Sequence, residues 1–415
     1  MVNKAILIGA LDTKGIEFEY VRRKLEAMGV ETFVIDVGVL GEPSFPVNID
    51  SDEVAKAGGS SLEELRRTND RGTAVTVMAK GIVGIIERLL AQGLIGGVFG
   101  MGGTAGTTVG AAAMQAIPIG VPKLLVSTVA SGNTRPYVGV KDITMMHSVV
   151  DIAGINKLSS RVLSNAAYAL GGMMQEMKRE SAETNDKMTL GMTMFGVTTP
   201  CVTKVREHLE EKGYELLVFH ATGVGGLAME ELIRGGFIHG VADVTTTELA
   251  DELVGGIFSA GSSRLTAAAD AGIPQVVSVG ALDMVNFGPL DTLPEAFRNR
   301  HYYQHNPTTT LIRTTVEENA ELGKRLAERL NRSLVAPVVV FPWGGVSLLD
   351  RPGSAFDGQA EREALYQGIR RHLRADIPLL EVDADINDPS TATLIAEQLL
   401  RQLESTTSES KGGNG

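Results

Sequence analysis

Short apolar runs alternate along the chain with segments whose apolar residues recur every three or four positions. The run KAILIG (residues 4–9) has the unbroken apolar character of a buried strand. Phe18, Val21 and Leu25 follow at helical spacing, and Gly29 is a natural stop. ETFVIDV (31–37) reads as the next strand, and TAVTVMAKGIVGIIERLLAQG (73–93) as one helix or two. IGGVFG (95–100) reads as a strand, TAGTTVGAAAMQ (104–115) as a helix and PKLLVST (122–128) as a strand. Strand, helix and strand in this order predict parallel pairing, with helices on both faces of the sheet.

A helical run from about Ile152 leads into the polar stretch EMKRESAETNDK (176–187), which predicts a linker between domains. The pattern then restarts. ERLLAQGLIGGV (87–98) matches EELIRGGFIHGV (230–241) in phase, and AIPIGVPKLLVSTVASG (116–132) matches AADAGIPQVVSVGALD (268–283) in layout. The expected architecture is therefore α/β: two doubly wound, Rossmann-like lobes related by internal duplication, with a cleft between them. Their expected bounds are 1–178 and 187–404. APVVVFPWGG (336–345) and IPLLEVDADI (377–386) add strands to the second lobe, with helices at about 315–331, 358–373 and 390–403. The tail 405–415 lacks apolar residues and is expected to be disordered.

Composition narrows the function classes. Aromatic residues make up only 5% of the 415, so the cores should be aliphatic, as in buried parallel sheets. A net charge of −12 argues against non-specific nucleic-acid binding. Cys201 is the only cysteine, so no intramolecular disulfide forms. The N-terminus has no signal-peptide pattern, and the most apolar stretches are interrupted by charge and proline. A soluble cytoplasmic protein is expected.

In open α/β sheets, ligands bind beyond the carboxyl ends of the strands. Two first-lobe loops belong there, GALDTKG (9–15) and GMGGTAGTT (100–108). Glycines allow close backbone approach, and a following helix offers unpaired amides to a phosphate. Thr104, Thr107 and Thr108 add hydroxyls, Lys14 a charge, and Asp36 an acceptor for ribose hydroxyls. Neither loop is a Walker A sequence or the dinucleotide G-x-G-x-x-G, so a glycine-rich turn with Thr104 as a helix cap stays open beside nucleotide binding.

ILIGALDTKG, VIDVGVLGEP, FGMGGTAGTT and KLLVSTVASG, followed by QHNPTTTLIRTT and PWGGVSLLDRPGSAFD, resemble one family over roughly residues 2–404. It is the ATP-binding domain of the tomato mosaic virus resistance protein with its bacterial relatives. The resemblance implies a homodimer and ATP in the first lobe. Asp12, Thr13 and Lys14 would hold it from the first loop and Gly102, Gly103 and Thr104 from the second, with Arg71 a further basic contact. Mg2+ would accompany the ATP. The second lobe has GVADVTTTELAD (240–251) in place of GVFGMGGTAGTT, and Asp243 there should repel a phosphate.

Other residues carry chemistry too. Cys201 follows Pro200 at a helix start, where the dipole lowers a thiol pKa; the plain alternative is a buried packing residue. HYYQHNPTTT (301–310) reads as a loop, with His305 and Arg313 as candidate cleft residues. Asp350 and Asp357, in the stretch after APVVVF, are two more, and a simple turn is the alternative there. The histidine spacing gives no metal site. Two functions follow: a nucleotide-binding protein, or an enzyme acting on a small carboxylic acid in the cleft, with or without ATP as cosubstrate.

Overall fold

The computed structural model describes residues 3–180 and 187–412. The chain divides into two compact units between residues 185 and 186. Part of the expected linker, 181–186, lies outside the described residues, as do 413–415 of the expected tail.

The first unit contains β1 (Lys4–Gly9), α1 (Leu11–Ala27), β2 (Thr32–Asp36), α2 (Ser51–Ala57), α3 (Leu62–Thr68), α4 (Arg71–Ala91), β3 (Ile95–Gly102), α5 (Thr104–Gln115), β4 (Lys123–Ser127), α6 (Arg135–Val138), β5 (Thr144–His147) and α7 (Lys157–Glu180). Its five strands pair in parallel in the order β2-β1-β3-β4-β5. Strand β1 shows why its sequence is apolar throughout. Ile6 and Ile8 join a core with Ile82 and Ile86 of α4 and Val109 of α5, while Ala5 and Leu7 join one with Val21 of α1 and Leu170 of α7. Side chains alternate across a strand, so covering both faces demands apolar residues at every position.

The second unit contains β6 (Thr189–Met194), α8 (Thr199–Glu211), β7 (Glu215–His220), α9 (Val224–Arg234), β8 (Val241–Thr245), α10 (Glu248–Val254), α11 (Ala267–Ala271), β9 (Gln275–Gly280), β10 (Met284–Phe287), β11 (Tyr302–Asn306), β12 (Thr309–Arg313), α12 (Val316–Leu330), β13 (Val338–Pro342), α13 (Gln359–His372), β14 (Leu379–Val382) and α14 (Pro389–Gly412). Its main sheet is parallel in the order β7-β6-β8-β9-β13-β14, so it repeats the winding of the first sheet. The same alternation holds: Val339 and Phe341 of β13 face the α12 and α13 core, and Val338 and Val340 face the α8 and α14 core.

Three local readings differ from expectation. HYYQHNPTTT is not a loop: β11 and β12 form a hairpin beside β10, in an antiparallel three-stranded sheet. Every residue of β11 is exposed, so no apolar alternation marks it as a strand. The stretch 9–15 is mostly helix, because α1 starts at Leu11 and is kinked at Lys14 (φ −125°, ψ 16°). Helix α14 continues as far as Gly412, into the stretch expected to be disordered. Among the described residues no helix is long and apolar enough to cross a membrane.

Candidate functional site

The glycine-rich segment after β3 is tighter than a loop. Strand β3 runs to Gly102 and α5 starts at Thr104, leaving only Gly103 between them. The turn closes because a Cβ on Gly102 would lie 2.9 Å from Gly106 Cα. Gly103 is the helix N-cap with extended backbone and offers no side chain to the first turn. Among the described residues the amides of Gly103, Thr104, Ala105 and Gly106 donate to nothing. Such unpaired N–H groups carry the positive end of the helix dipole. The hydroxyls of Thr107 and Thr108 are not free for a ligand. Thr107 Oγ1 sits 2.6 Å from Ser127 Oγ, and Thr108 Oγ1 donates to the Thr104 carbonyl at 2.9 Å.

A cavity of about 730 Å3 opens beyond the ends of β1, β2 and β3, where the sheet order turns from β1 toward β2 on one side and β3 on the other. This is the switch point at which doubly wound sheets bind ligands. Ala105 and Gly106 bring the start of α5 to its wall, and Val39, Leu65, Val75 and Met78 make an apolar side. Arg66 and Arg71 also line it. Neither pairs with a carboxylate among the described residues; Arg66 donates instead to the carbonyls of Val39 (2.6 Å) and Gly41 (3.4 Å). Two carboxylates, Asp12 and Asp70, line it as well, so its formal charges balance; Asp70 caps α4, accepting from the amides of Gly72 (3.0 Å) and Thr73 (3.3 Å).

Of the residues expected here, Asp12, Thr13 and Arg71 line the cavity, and Gly103 and Thr104 immediately precede Ala105. Asp12 does not offer its charge outward: Oδ2 accepts from the amides of Leu40 (2.9 Å) and Gly41 (3.1 Å). Lys14 donates its ammonium to the Ile152 carbonyl. Asp36 is fully buried, and Oδ1 accepts from Leu11 and Gly38 amides, both at 2.9 Å. Burial raises its carboxyl pKa despite those bonds. It ties the end of β2 to the start of α1 and presents no surface to a ribose. Arg66 and Leu65 went unread from sequence because α3 did, whereas Val75 and Met78 lie on the helix read at 73–93. The signal was present: Ser61 caps α3 by accepting from the Glu64 amide, the first half of an S-x-x-E start.

The second lobe answers differently at the aligned place. In the phase that matches Val98 with Val241, Ala105 corresponds to Glu248. The Glu248 carboxylate accepts from the Gly223 (2.7 Å) and Gly226 (3.0 Å) amides at the start of α9. Its other oxygen takes Arg264 Nε at 2.6 Å. Arg264 is fully buried and forks onto Asp243 at 2.5 and 2.6 Å. Burial pulls its pKa down, but Asp243, Glu248 and Glu230 outweigh this and hold it well above the ordinary value. Asp243 thus pairs with Arg264 and does not confront a ligand; Glu248 occupies the helix amides.

Three of the four candidate cleft residues meet inside the second lobe. Asp350 Oδ1 accepts from Arg313 (3.0 Å) and from Arg362 (2.8 Å), and Arg362 reaches Asp357 at 3.1 Å. Arg313, 7% exposed, is engaged by Asp350, Thr314 and the Asp283 carbonyl, so it is not placed to grasp an outside acid. Burial and the neighbouring Asp283 push the Asp350 carboxyl up to about 7. His305 stands exposed at an irregularity of β11, apart from that cluster. Cys201 does lie in the first turn of α8, but it is buried, and burial pushes its thiol up to about 12, opposite to the expected activation. Among the described residues no group of three or more His, Cys, Asp or Glu is arranged to hold a metal.

Comparison with known proteins adds the relatives. Residues 3–179 match the N-terminal domain of the uncharacterised protein family UPF0261, and residues 187–403 match its C-terminal domain. A UPF0261 protein of Clostridium tetani is 52% identical over 405 residues, covering 97% of this chain and all of that protein. ToMV resistance protein Tm-1(GCR237) of Solanum lycopersicum is 45% identical over 354 residues, covering 82% of this chain. The match spans about half of the tomato protein, 47% of its length. A UDP-GlcNAc 2-epimerase structure from Methanocaldococcus jannaschii aligns over 96% of this chain and 99% of that one, at 11% identity and a TM-score of 0.20.

Proposed function

The chain belongs to the UPF0261 family, and from that premise and the geometry of the first lobe we propose that it binds a nucleoside triphosphate, ATP, in the cavity at the carboxyl ends of β1, β2 and β3. One observation carries this reading. Four unpaired amides at the start of α5 adjoin a cavity that also holds two arginines without carboxylate partners. Oriented amides and guanidinium groups are the standard means of binding phosphate. The aliphatic wall of Val39, Leu65, Val75 and Met78 suits the flat face of a base, and the volume is within the usual range for a small-molecule site, roughly 300–1,000 Å3.

Phosphates lie at Gly103–Gly106 with Arg71 beside them. Mg2+ travels on the phosphate oxygens, since that ion keeps several waters and needs few protein ligands. The reading is binding: the two carboxylates that line the cavity, Asp12 and Asp70, each accept from backbone amides.

Titration calorimetry with Mg-ATP, inorganic triphosphate and adenosine tests it. Saturable heat is expected with Mg-ATP, weaker heat with triphosphate, and a loss of about tenfold or more in affinity for Arg71→Ala. Absence of heat with millimolar Mg-ATP sinks the proposal.

A further inference from the structure

Asp12 and Arg66 approach the same three residues from two different helices. Asp12 Oδ2 takes the amides of Leu40 and Gly41, and Arg66 donates to the carbonyls of Val39 and Gly41. Among the described residues the backbone of Val39–Gly41 makes no other hydrogen bonds. The segment has no regular secondary structure, and its Leu40 side chain is 78% exposed although it lines the cavity. Glycine on either side permits the arrangement: a Cβ on Gly38 would lie 2.6 Å from Asp12 Cγ, and one on Gly41 3.3 Å from Asp12 Cβ.

We propose that Val39–Gly41 is a strap that retains the ligand of this cavity, and that Asp12 and Arg66 are positioning residues that fasten it. The proposal rests on the nucleotide reading of the same cavity. Asp12 then acts on the ligand through the strap's amides, and the exposed Leu40 side chain supplies an apolar surface that a base covers on binding. Arg66 fastens the strap with its Nε and one Nη, and acts on the ligand through it. A retaining element governs escape more than entry, so its loss appears in the dissociation rate.

Two measurements on the full chain test this. In the unliganded protein, amide hydrogen exchange of a peptide spanning 38–46 is compared for wild type, Arg66→Ala, Arg66→Lys and Asp12→Asn. Stopped-flow dissociation of a fluorescent N-methylanthraniloyl-ATP is measured on the same set. Arg66→Ala and Asp12→Asn are expected to exchange faster in that peptide and to release nucleotide about tenfold faster, with association changed less than about threefold. Lysine reaches one carbonyl but not two, so Arg66→Lys should fall between. Nucleotide binding with release unchanged in both variants overturns the strap. No binding by wild type overturns the nucleotide reading and the retention role with it, whatever the exchange shows. Arg66 is exposed, so its replacement leaves the fold intact for both measurements.

Discussion

The Glu248 carboxylate and the Gly226 amide meet at 3.0 Å, and a Cβ on Gly226 would lie 2.0 Å from Glu248 Oε2. That contact separates the two lobes in structure. Where the first lobe has Ala105 on an open cavity, the second has an acid at the first position of α10 seated on the amides at the start of α9, with Arg264 behind it. Under the nucleotide reading, calorimetry should give one ATP per chain. A stoichiometry of two would contradict the assignment of Glu248 as occupant.

Removing that occupant should be costly. Glu248→Ala leaves two buried amides unpaired and Arg264 with one fewer acid, a loss of about 3 kcal/mol by the usual scale for breaking a buried ion pair. Glu248→Gln keeps an acceptor for the amides and should lose less. Urea denaturation of the two variants checks the order, and equal stabilities would mean that the acceptor Gln keeps for the two amides contributes nothing.

Gly103 presents the opposite case. Its φ is −75°, and a Cβ there would meet only Thr128 Oγ1, at 3.8 Å. Gly103→Asp should therefore fold normally, and an aspartate in place of a glycine N-cap on α5 adds about a few tenths of a kcal/mol. The same carboxylate would occupy the amides that a phosphate needs. The expected result is an unchanged or raised thermal midpoint with ATP affinity down about tenfold or more. Undiminished affinity would move the phosphate site away from α5.

How far the sequence disclosed this arrangement follows from what each residue does. Apolar runs such as KAILIG are visible because both faces of a parallel sheet are covered, and β1 packs against helices on each side. Asp12, Thr13 and Arg71 could be picked as cavity residues from motif and resemblance, yet not their roles. Whether a carboxylate points at a ligand or at Leu40 N depends on a loop that is 28 residues away in sequence. Strand β11 was hidden because all five of its residues face solvent and carry no alternation. Glu248 was hidden for a related reason: a charge at a helix start reads as solvated until Arg264, 16 residues on, is seen to bury it.

Cys201 was a candidate nucleophile by its place in the first turn of α8, and burial reverses that reading. With the thiol pushed up to about 12, thiolate is negligible at pH 8. Ellman's reagent should find no reactive thiol in the native protein and one per chain in guanidinium. Rapid native labelling would show that α8 opens far more readily than its packing implies.

Asp251 gives the stability a pH dependence with a definite sign. It is buried; Oδ1 accepts from the Phe258 and Asn286 amides, both at 3.1 Å, and Oδ2 from Asn286 Nδ2 at 2.8 Å. Burial outweighs these bonds and pushes its carboxyl from 3.8 up to about 7. Between those values the folded chain holds a proton that the unfolded chain has released. The group's contribution is therefore fully present below about pH 4, declines as pH rises toward 7, and is flat above. Asn286 Oδ1 has no partner among the described residues, and a rotated Asn286 amide would let it accept that proton. Asp251→Asn cannot ionise and supplies the same donor permanently. It should lose less stability than wild type between pH 5 and pH 8, and it should be the more stable of the two at pH 8 by about 1 kcal/mol or more. Asp350, also raised to about 7, slopes in the same direction, so part of the decline will persist in the variant. Urea denaturation of both proteins at the two pH values decides the matter. Parallel losses would mean that Asp251 is ionised in the fold and that its three donors overcome its burial.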